Sequence, residues 1–411
     1  MKILLVVPPN IKGLFPLIPI GLLYIGAALD KNEIEYDFFD LNFLNIRALV
    51  SKMERYEPDF VGITIRNIAE TNQMNNIYQS ICDIVNIAQR YSKVILGGAG
   101  FSIFPEQIIS LTGADYGIVG PGESAIIYLI NNFHKIPAGS ILKKYDDTFV
   151  TSDTTNALKK YWKEYGKYFV ISKASIPIQT TRGCKYSCSY CTYPMLSNYS
   201  IQNRPINRIV KELKEISITT KRDFFYFVDS IFNMDLEYTK KLLVAIIESK
   251  TKIKWSCCIN PVHYDEEMIK LMKESGCVHC EVGIDSFSDR QLTRLHKGFN
   301  AKQAKHLLKE LEKNDLSYTI ALLLGGVGET KSSLLETLRE VKSFKSAKIN
   351  AFIGTRIYPG TSLETMIDTE KINLWKSDRN SIYVENSVVP ILKSVIQNAL
   401  PERWSFTGGL L

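Results

Sequence analysis

Cys184, Cys188 and Cys191 stand within eight residues, in the run Thr181-Arg-Gly-Cys184-Lys-Tyr-Ser-Cys188-Ser-Tyr190-Cys191. Thiolates at Cys-x3-Cys-x2-Cys spacing on one loop can hold three irons of a [4Fe–4S] cluster. The fourth iron then has no protein ligand and is open to a small chelating molecule. A structural zinc site would want a fourth Cys or His close by, and none follows until Cys257. The remaining cysteines, Cys82, Cys257, Cys258, Cys277 and Cys280, read better as packing residues than as a second cluster built on Cys277-x2-Cys280 with Cys257-Cys258. Cys257 and Cys258 must point to opposite faces of a strand, and a buried free Cys behaves as a small apolar side chain. Eight cysteines in 411 residues are too sparse for a disulfide scaffold. The apolar run Ile3 to Val7 is too short for a secretory signal, so a reducing, cytoplasmic setting is expected.

The elements that position these thiols follow from hydrophobic periodicity. Strands are predicted at Ile176–Thr181, Phe224–Val228, Lys254–Cys258, Val278–Ile284, Tyr318–Leu324 and Ala351–Ile357, with amphipathic helical stretches between them. Six such strands imply a partial (β/α)6 barrel over residues 176–361. The cysteine loop follows its first strand, at the carboxyl end where a barrel assembles its site. Residues 1–140 alternate in the same way, with strands at Lys2–Val7, Tyr36–Leu41, Phe60–Ile65, Lys93–Leu96 and Tyr116–Val119. Apolar strands separated by helices predict an N-terminal Rossmann-like α/β domain with a parallel sheet, its ligand beyond the carboxyl ends of the strands. Residues 141–175 break the rhythm and are expected to form a linker, with room for a short helix. Residues 362–411 are weakly patterned and are expected to form a short C-terminal cap.

A hydrophobic content of 45% and a charged content of 23% exclude general disorder. No window reaches 18 uninterrupted apolar residues, so no membrane span is expected. The net charge of +7 is uneven: residues 1–150 carry 12 basic and 15 acidic side chains, the remainder 38 and 28. A basic second part could face an anionic substrate or nucleic acid. Solvated Lys-rich helices such as Lys302–Lys313 account for it more simply, and nucleic acid is not expected as a partner.

The cysteine run resembles the signature loop of the radical S-adenosylmethionine (SAM) enzymes, and the partial barrel is that superfamily's fold. The resemblance implies that SAM chelates the open iron and is cleaved to a 5′-deoxyadenosyl radical. Other segments resemble the family's strand ends. Phe227-Val-Asp229-Ser230-Ile-Phe232-Asn233 is similar to the second-strand segment, and Glu281-Val-Gly283-Ile-Asp285-Ser286 to the fourth-strand motif that helps hold SAM. Leu295-His-Lys297-Gly298 follows, as in many relatives. Leu324-Gly325-Gly326-Val-Gly328-Glu329-Thr330 resembles the fifth-strand turn, with Val327 where Pro is usual, and Gly354-Thr-Arg356-Ile-Tyr358-Pro359-Gly360 the sixth strand of one cobalamin-associated branch. By this resemblance Tyr190, Asp229, Ser230, Glu281, Asp285, Ser286, Lys297, Gly325 and Gly326 would surround the cofactor, with Asp229, Glu281 and Arg356 as catalytic candidates. Taken alone, Gly325-Gly326 reads better as a turn, and Asp229 and Glu281 could be surface or capped carboxylates.

In the first domain, Pro8-Pro9-Asn10 follows the first strand where a dinucleotide fold would place G-x-G-x-x-G, which argues against NAD or FAD. The other strand ends carry Thr64-Ile-Arg66-Asn67, Gly97-Gly98-Ala99-Gly100-Phe101-Ser102 and Gly120-Pro-Gly122-Glu123. These resemble the cobalamin-binding domain fused in front of many radical SAM enzymes, and Gly-rich loops on one edge suit a broad, flat ligand. By that resemblance Pro8, Thr64, Arg66, Asn67, Gly97 to Ser102, Gly120, Gly122 and Glu123 would contact cobalamin. One departure stands out: His134 is the single histidine of the first 150 residues, and no Asp-x-His-x-x-Gly motif is present.

The resemblance implies a cobalamin-dependent radical SAM methyltransferase that methylates an unactivated carbon of a small-molecule or peptide substrate, with electrons from a flavodoxin or ferredoxin. The alternative with the same cofactors is a C–C bond rearrangement or ring formation. A methylthiotransferase acting on RNA would need three further cluster cysteines in the first domain, which holds only Cys82. A non-catalytic cobalamin carrier would have no use for the cysteine loop.

Overall fold

The computed structural model describes residues 1–10, 16–66, 74–143, 146, 148–172, 174–367 and 382–408. The chain divides into two compact units: Met1–Pro177 with Met195–Asn198 and Gln202–Arg222, and Ile178–Pro194 with Tyr199–Ile201 and Asp223–Leu411.

The first unit is built on a parallel sheet of β1 (Lys2–Val7), β2 (Glu35–Asp40), β3 (Phe60–Thr64), β4 (Lys93–Gly97), β5 (Tyr116–Val119) and β6 (Ser140–Lys143). Their order is β2-β1-β3-β4-β5-β6. The run Lys-Ile-Leu-Leu-Val-Val of β1 is buried from Ile3 onward, as a strand covered on both faces requires. The strand order reverses between β1 and β3, which pair Val6 with Ile63. Their carboxyl ends therefore form the switch point where open α/β sheets bind ligands.

The segment expected as a linker is largely ordered secondary structure. It holds most of β6 and an 18-residue helix, Thr155–Ser172. Tyr161, Tyr165 and Phe169 recur every four residues along that helix, which places them on one face. There they meet Phe38 and Phe43. The Tyr161 hydroxyl donates to Asp40 at 2.5 Å. A second helix, Ile206–Thr220, is tied into the same unit through a buried ion pair of Arg204 and Glu212, 2.6 Å apart and each 1% exposed: Arg204 donates to Ser152 O and Glu212 accepts the Thr154 N–H, both at 2.9 Å.

In the second unit a seven-stranded sheet has the order β17-β14-β13-β12-β11-β10-β7. Its strands are β7 (Ile176–Ile178), β10 (Phe224–Phe227), β11 (Lys254–Ile259), β12 (Cys277–Asp285), β13 (Ser317–Leu324), β14 (Lys348–Ile353) and β17 (Trp404–Gly408). Short strands complete the numbering: β8 (Thr181–Arg182), β9 (Gln202–Asn203), β15 (Thr355–Arg356) and β16 (Ile382–Tyr383). Six of the seven are the strands read from periodicity. The seventh lies within the segment expected as a cap: β17 pairs in parallel with β14, Ile349 opposite Trp404. Asp235, Asp265, Asn300 and Thr330 each cap a returning helix by accepting the N–H three residues on, which fixes where each strand-to-helix loop ends. Among the described residues no helix is long and apolar enough to cross a membrane.

Candidate active site

The cysteine loop leaves the sheet between β7 and the helix Tyr193–Leu196. Its approach is held by Asp229, just past β10. The Asp229 carboxylate, 4% exposed, accepts the Thr180 N–H at 2.7 Å and the Thr181 N–H at 3.0 Å, and the Thr180 hydroxyl as well. Gly183 then turns the chain at φ +100°, where a Cβ would lie 1.8 Å from the Ser200 carbonyl. Only glycine fits so close to backbone.

Cys184, Cys188 and Cys191 follow, and burial raises the pKa of all three, that of Cys191 to about 12. The charges of the three thiols act on one another, so they share one neighbourhood. Among the described residues no three Cys, His, Asp or Glu side chains converge tightly enough to hold a single metal ion. Three thiols on one loop match the ligands of a polynuclear cluster, which spreads them over separate irons. The donor set suits the cluster.

Behind the loop stands a buried polar triad. Lys297 Nζ lies 2.7 Å from Asp285 Oδ2 and 3.2 Å from the Tyr190 hydroxyl, and that hydroxyl donates to Asp285 Oδ2 at 2.5 Å. Burial opposes the Lys297 charge, but Asp285 and the nearby thiols outweigh it and raise the lysine pKa. Asp285 ends β12 at φ +68°, a left-handed conformation uncommon for a residue other than glycine.

Glu281 is exposed on β12, on the face of the sheet opposite the buried Cys257 and Cys280. In-register pairing sets Cys258 beside it. The Cys258 thiol donates to Glu281 Oε2 at 3.5 Å and lies 3.2 Å from the Tyr226 hydroxyl. Ser286 is turned the other way, its hydroxyl 2.8 Å from that of Thr337. Gly325 and Gly326 answer to packing: a Cβ at Gly325 would meet Leu392 at 2.6 Å, and one at Gly326 would meet the Thr355 hydroxyl at 2.3 Å. The Gly325 N–H donates to Glu329 at 2.9 Å. Burial pushes the Glu329 carboxyl up to about 7, partly offset by the Gly325 N–H and the Ser333 hydroxyl. Arg356 is buried in β15, which pairs with β16 through Ile382. Ser230 is half-buried beyond β10.

In the first unit the carboxyl ends of β3, β4 and β5 knit into one shelf. The Ile65 N–H donates to Gly97 O at 2.7 Å and the Gly100 N–H to Ile65 O at 2.8 Å. The Ser102 hydroxyl donates to Gly98 O and accepts the Gly120 N–H, each at 2.9 Å. Gly98 has φ +98°, and a Cβ there would strike Ile65 O at 2.7 Å. The shelf is low because glycine has no side chain, and Ala99 and Arg66 stand exposed on it. Pro8 is half-buried after β1. Phe101 and Glu123 are buried instead. The Phe101 ring lies where a Cβ at Gly117 would come within 2.3 Å, so it packs on β5. Asn67 lies outside the described residues. His134 precedes β6, at the amino-terminal edge of the sheet, remote in topology from the shelf.

Residues 178–341 match the radical SAM superfamily, and residues 10–129 match the B12 binding domain. The chain joins a B12-binding domain to a radical SAM domain. It is 24% identical over 393 residues to an uncharacterized methyltransferase of Pyrococcus horikoshii, PH0819, covering 88% of this chain and 82% of that one. It is 21% identical to the tryptophan 2-C-methyltransferase of Streptomyces laurentii, covering 84% and 71%. Among solved structures, the radical SAM methyltransferase TsrM of Kitasatospora setae, with tryptophan and a SAM analogue bound, superposes with a TM-score of 0.81 at 18% identity, covering 98% and 90%. At that identity the likeness speaks for the fold. The radical SAM domain makes the chain a radical SAM enzyme that uses a [4Fe–4S] cluster and SAM, and the B12-binding domain makes it a cobalamin protein.

In the radical SAM domain the thiols are where the motif puts them, but Asp229 and Ser286 spend their polar atoms on the protein itself. Cys258 and Tyr226, beside Glu281, were not anticipated as site residues. The opposite orientations of Cys257 and Cys258 were a signal for the first; the partner Tyr226 depended on strand register.

Proposed function

We propose that this radical SAM enzyme transfers a methyl group to an unactivated carbon of a small molecule, using cobalamin. The observation that carries the reading is the union, in one chain, of an intact three-thiol loop at the first strand of the barrel and a glycine shelf at the strand ends of a B12-binding domain. The names of the relatives, a tryptophan 2-C-methyltransferase among them, favour methyl transfer and make tryptophan the first substrate to try.

Cys184, Cys188 and Cys191 would hold the cluster. Gly97, Gly98, Ala99 and Gly120, with Thr64 and Arg66, would face the corrinoid. When bound, the cluster and SAM supply a carbon-centred radical, and cobalamin supplies the methyl group. Glu281 contributes an exposed acceptor, with Cys258 donating to it, for an amine or amide of SAM or substrate. Lys297, Asp285 and Tyr190 brace the loop from behind through their mutual bonds. The electron is delivered in the cytoplasm by a reduced flavodoxin or ferredoxin.

The test is anaerobic purification with iron, sulfide and corrinoid analysis, followed by incubation with methyl-labelled SAM and tryptophan or related small molecules. Iron, sulfide and corrinoid together, with label in the product, support the reading. Product without label would shift it to a C–C bond rearrangement or ring formation. Corrinoid without iron after reconstitution would replace it with a cobalamin carrier.

A further inference from the structure

The turn Leu295–Gly298 touches the cysteine loop at three points, and only one of them is charged. The Ser189 N–H donates to Leu295 O at 3.0 Å. The Tyr186 ring lies 3.2 Å from where a Cβ of Gly298 would be, at φ +71°. Between them Lys297 reaches Tyr190 and Asp285. The first two contacts seat the loop by themselves, through backbone and packing. They do not explain a lysine that is 6% exposed and held between the Tyr190 and Phe299 rings, 5.7 Å from each centroid.

A buried ammonium is costly to maintain, and its field is strong because little water screens it. We propose that Lys297 is a positioning charge for the cluster: its ammonium, fixed by Asp285 and Tyr190, sets how readily the cluster accepts its electron. Reduction adds a negative charge to a centre that already carries three thiolates. A fixed cation nearby favours the reduced form, and a fixed carboxylate opposes it. Lys297 reaches the loop itself through the hydroxyl of Tyr190, the residue before Cys191, and Asp285 accepts from that same hydroxyl, so charges of both signs stand beside the thiols. The inference rests on assigning the three thiols to the cluster.

The opposite signs of Lys297 and Asp285 provide the test, because a merely structural pair would show no such antisymmetry. The proteins compared are the anaerobically reconstituted full chain and its Lys297→Arg, Lys297→Met and Asp285→Asn variants, each checked for equal iron and sulfide. Asn tolerates the left-handed backbone at position 285 and still accepts from Tyr190. The ratio of reduced to oxidised cluster is read by electron paramagnetic resonance at one fixed potential, set with dithionite and mediators. Lys297→Met should lower that ratio about tenfold, equivalent to about 59 mV for one electron. Asp285→Asn should raise it, and Lys297→Arg should leave it within about twofold of the parent. A shift of the same sign in Lys297→Met and Asp285→Asn, or no shift at full iron content, overturns the proposal. If Lys297→Met cannot hold iron, Asp285→Asn against Lys297→Arg carries the same predicted signs, and an unchanged or lowered ratio in Asp285→Asn overturns it. A parent chain that binds no iron would overturn the cluster assignment itself, a separate result.

Discussion

The carboxylate of Asp229 accepts the backbone N–H groups of both Thr180 and Thr181, at 2.7 and 3.0 Å. An acid at the end of a barrel strand is thereby spent on the chain that enters the cysteine loop. Asp229→Ala would leave two backbone donors and a hydroxyl without their acceptor, at a cost of about 2–4 kcal/mol. The expected phenotype is low iron loading in a chain that is still folded, measured as iron per chain and by urea unfolding. An Asp229→Ala protein with full iron and weakened SAM binding would point instead to contact with the cofactor.

Removing a ligand is the direct test of the loop. Cys188→Ala should abolish reductive cleavage of SAM to 5′-deoxyadenosine while the B12-binding domain still takes up hydroxocobalamin. The first is read by chromatography of the reaction products, the second by the visible spectrum. Continued SAM cleavage would remove Cys188 from the ligand set.

Gly98 and Gly113 make a matched pair. Both have positive φ, but a Cβ at Gly98 would strike Ile65 O at 2.7 Å, whereas one at Gly113 would meet nothing within 4 Å. Alanine at Gly113, in the left-handed region, costs about 1–2 kcal/mol of backbone strain, whereas Gly98, at φ 98° and ψ 170°, occupies a region essentially confined to glycine, at about 1–3 kcal/mol. Only Gly98→Ala should also lose corrinoid binding, measured by titration with hydroxocobalamin.

Glu329 predicts a pH dependence. Its folded pKa, about 7, stands above the ordinary 4.5, so folding favours the protonated form. The stabilisation is complete below about pH 4.5 and is lost as the pH rises through 7. Glu329→Gln lacks this titration. Between pH 5 and 8 the parent should lose roughly 2–3 kcal/mol relative to Glu329→Gln, as followed by urea unfolding across that range. Parallel pH profiles would contradict the sign.

Truncating either member of the buried Arg204–Glu212 pair should be strongly destabilising. Glu212→Ala strands a buried guanidinium and the Thr154 N–H that donates to it at 2.9 Å, at about 3–5 kcal/mol. The measurement is the urea midpoint.

Strands that are apolar along their whole length were legible, because burial on both faces leaves an unmistakable run; β1 and β5 match their predicted limits. The helix Thr155–Ser172 was obscured by Lys159, Lys160, Lys163 and Lys167 on its outer surface, although Tyr161, Tyr165 and Phe169 carried its stripe. The three thiols were visible because their chemistry is local in sequence. The triad was not, because Tyr190 and Asp285 are 95 residues apart and no local pattern reports a tertiary hydrogen bond. Phe101 and Glu123 illustrate the other limit: position at a strand end was readable, but the direction of the side chain was not.

The parallel pairing of β17 with β14 has a consequence for synthesis. Residues Trp404–Gly408 emerge roughly 50 residues after Ile353, a delay of about 3–10 s at ordinary translation rates. Through that interval β14 is an uncovered sheet edge with buried-type residues at Ile349, Ala351 and Ile353. Such an edge invites pairing with a neighbouring nascent chain. β17 ends this exposure, so a chain cut before Trp404 should aggregate more readily than one that extends through Gly408.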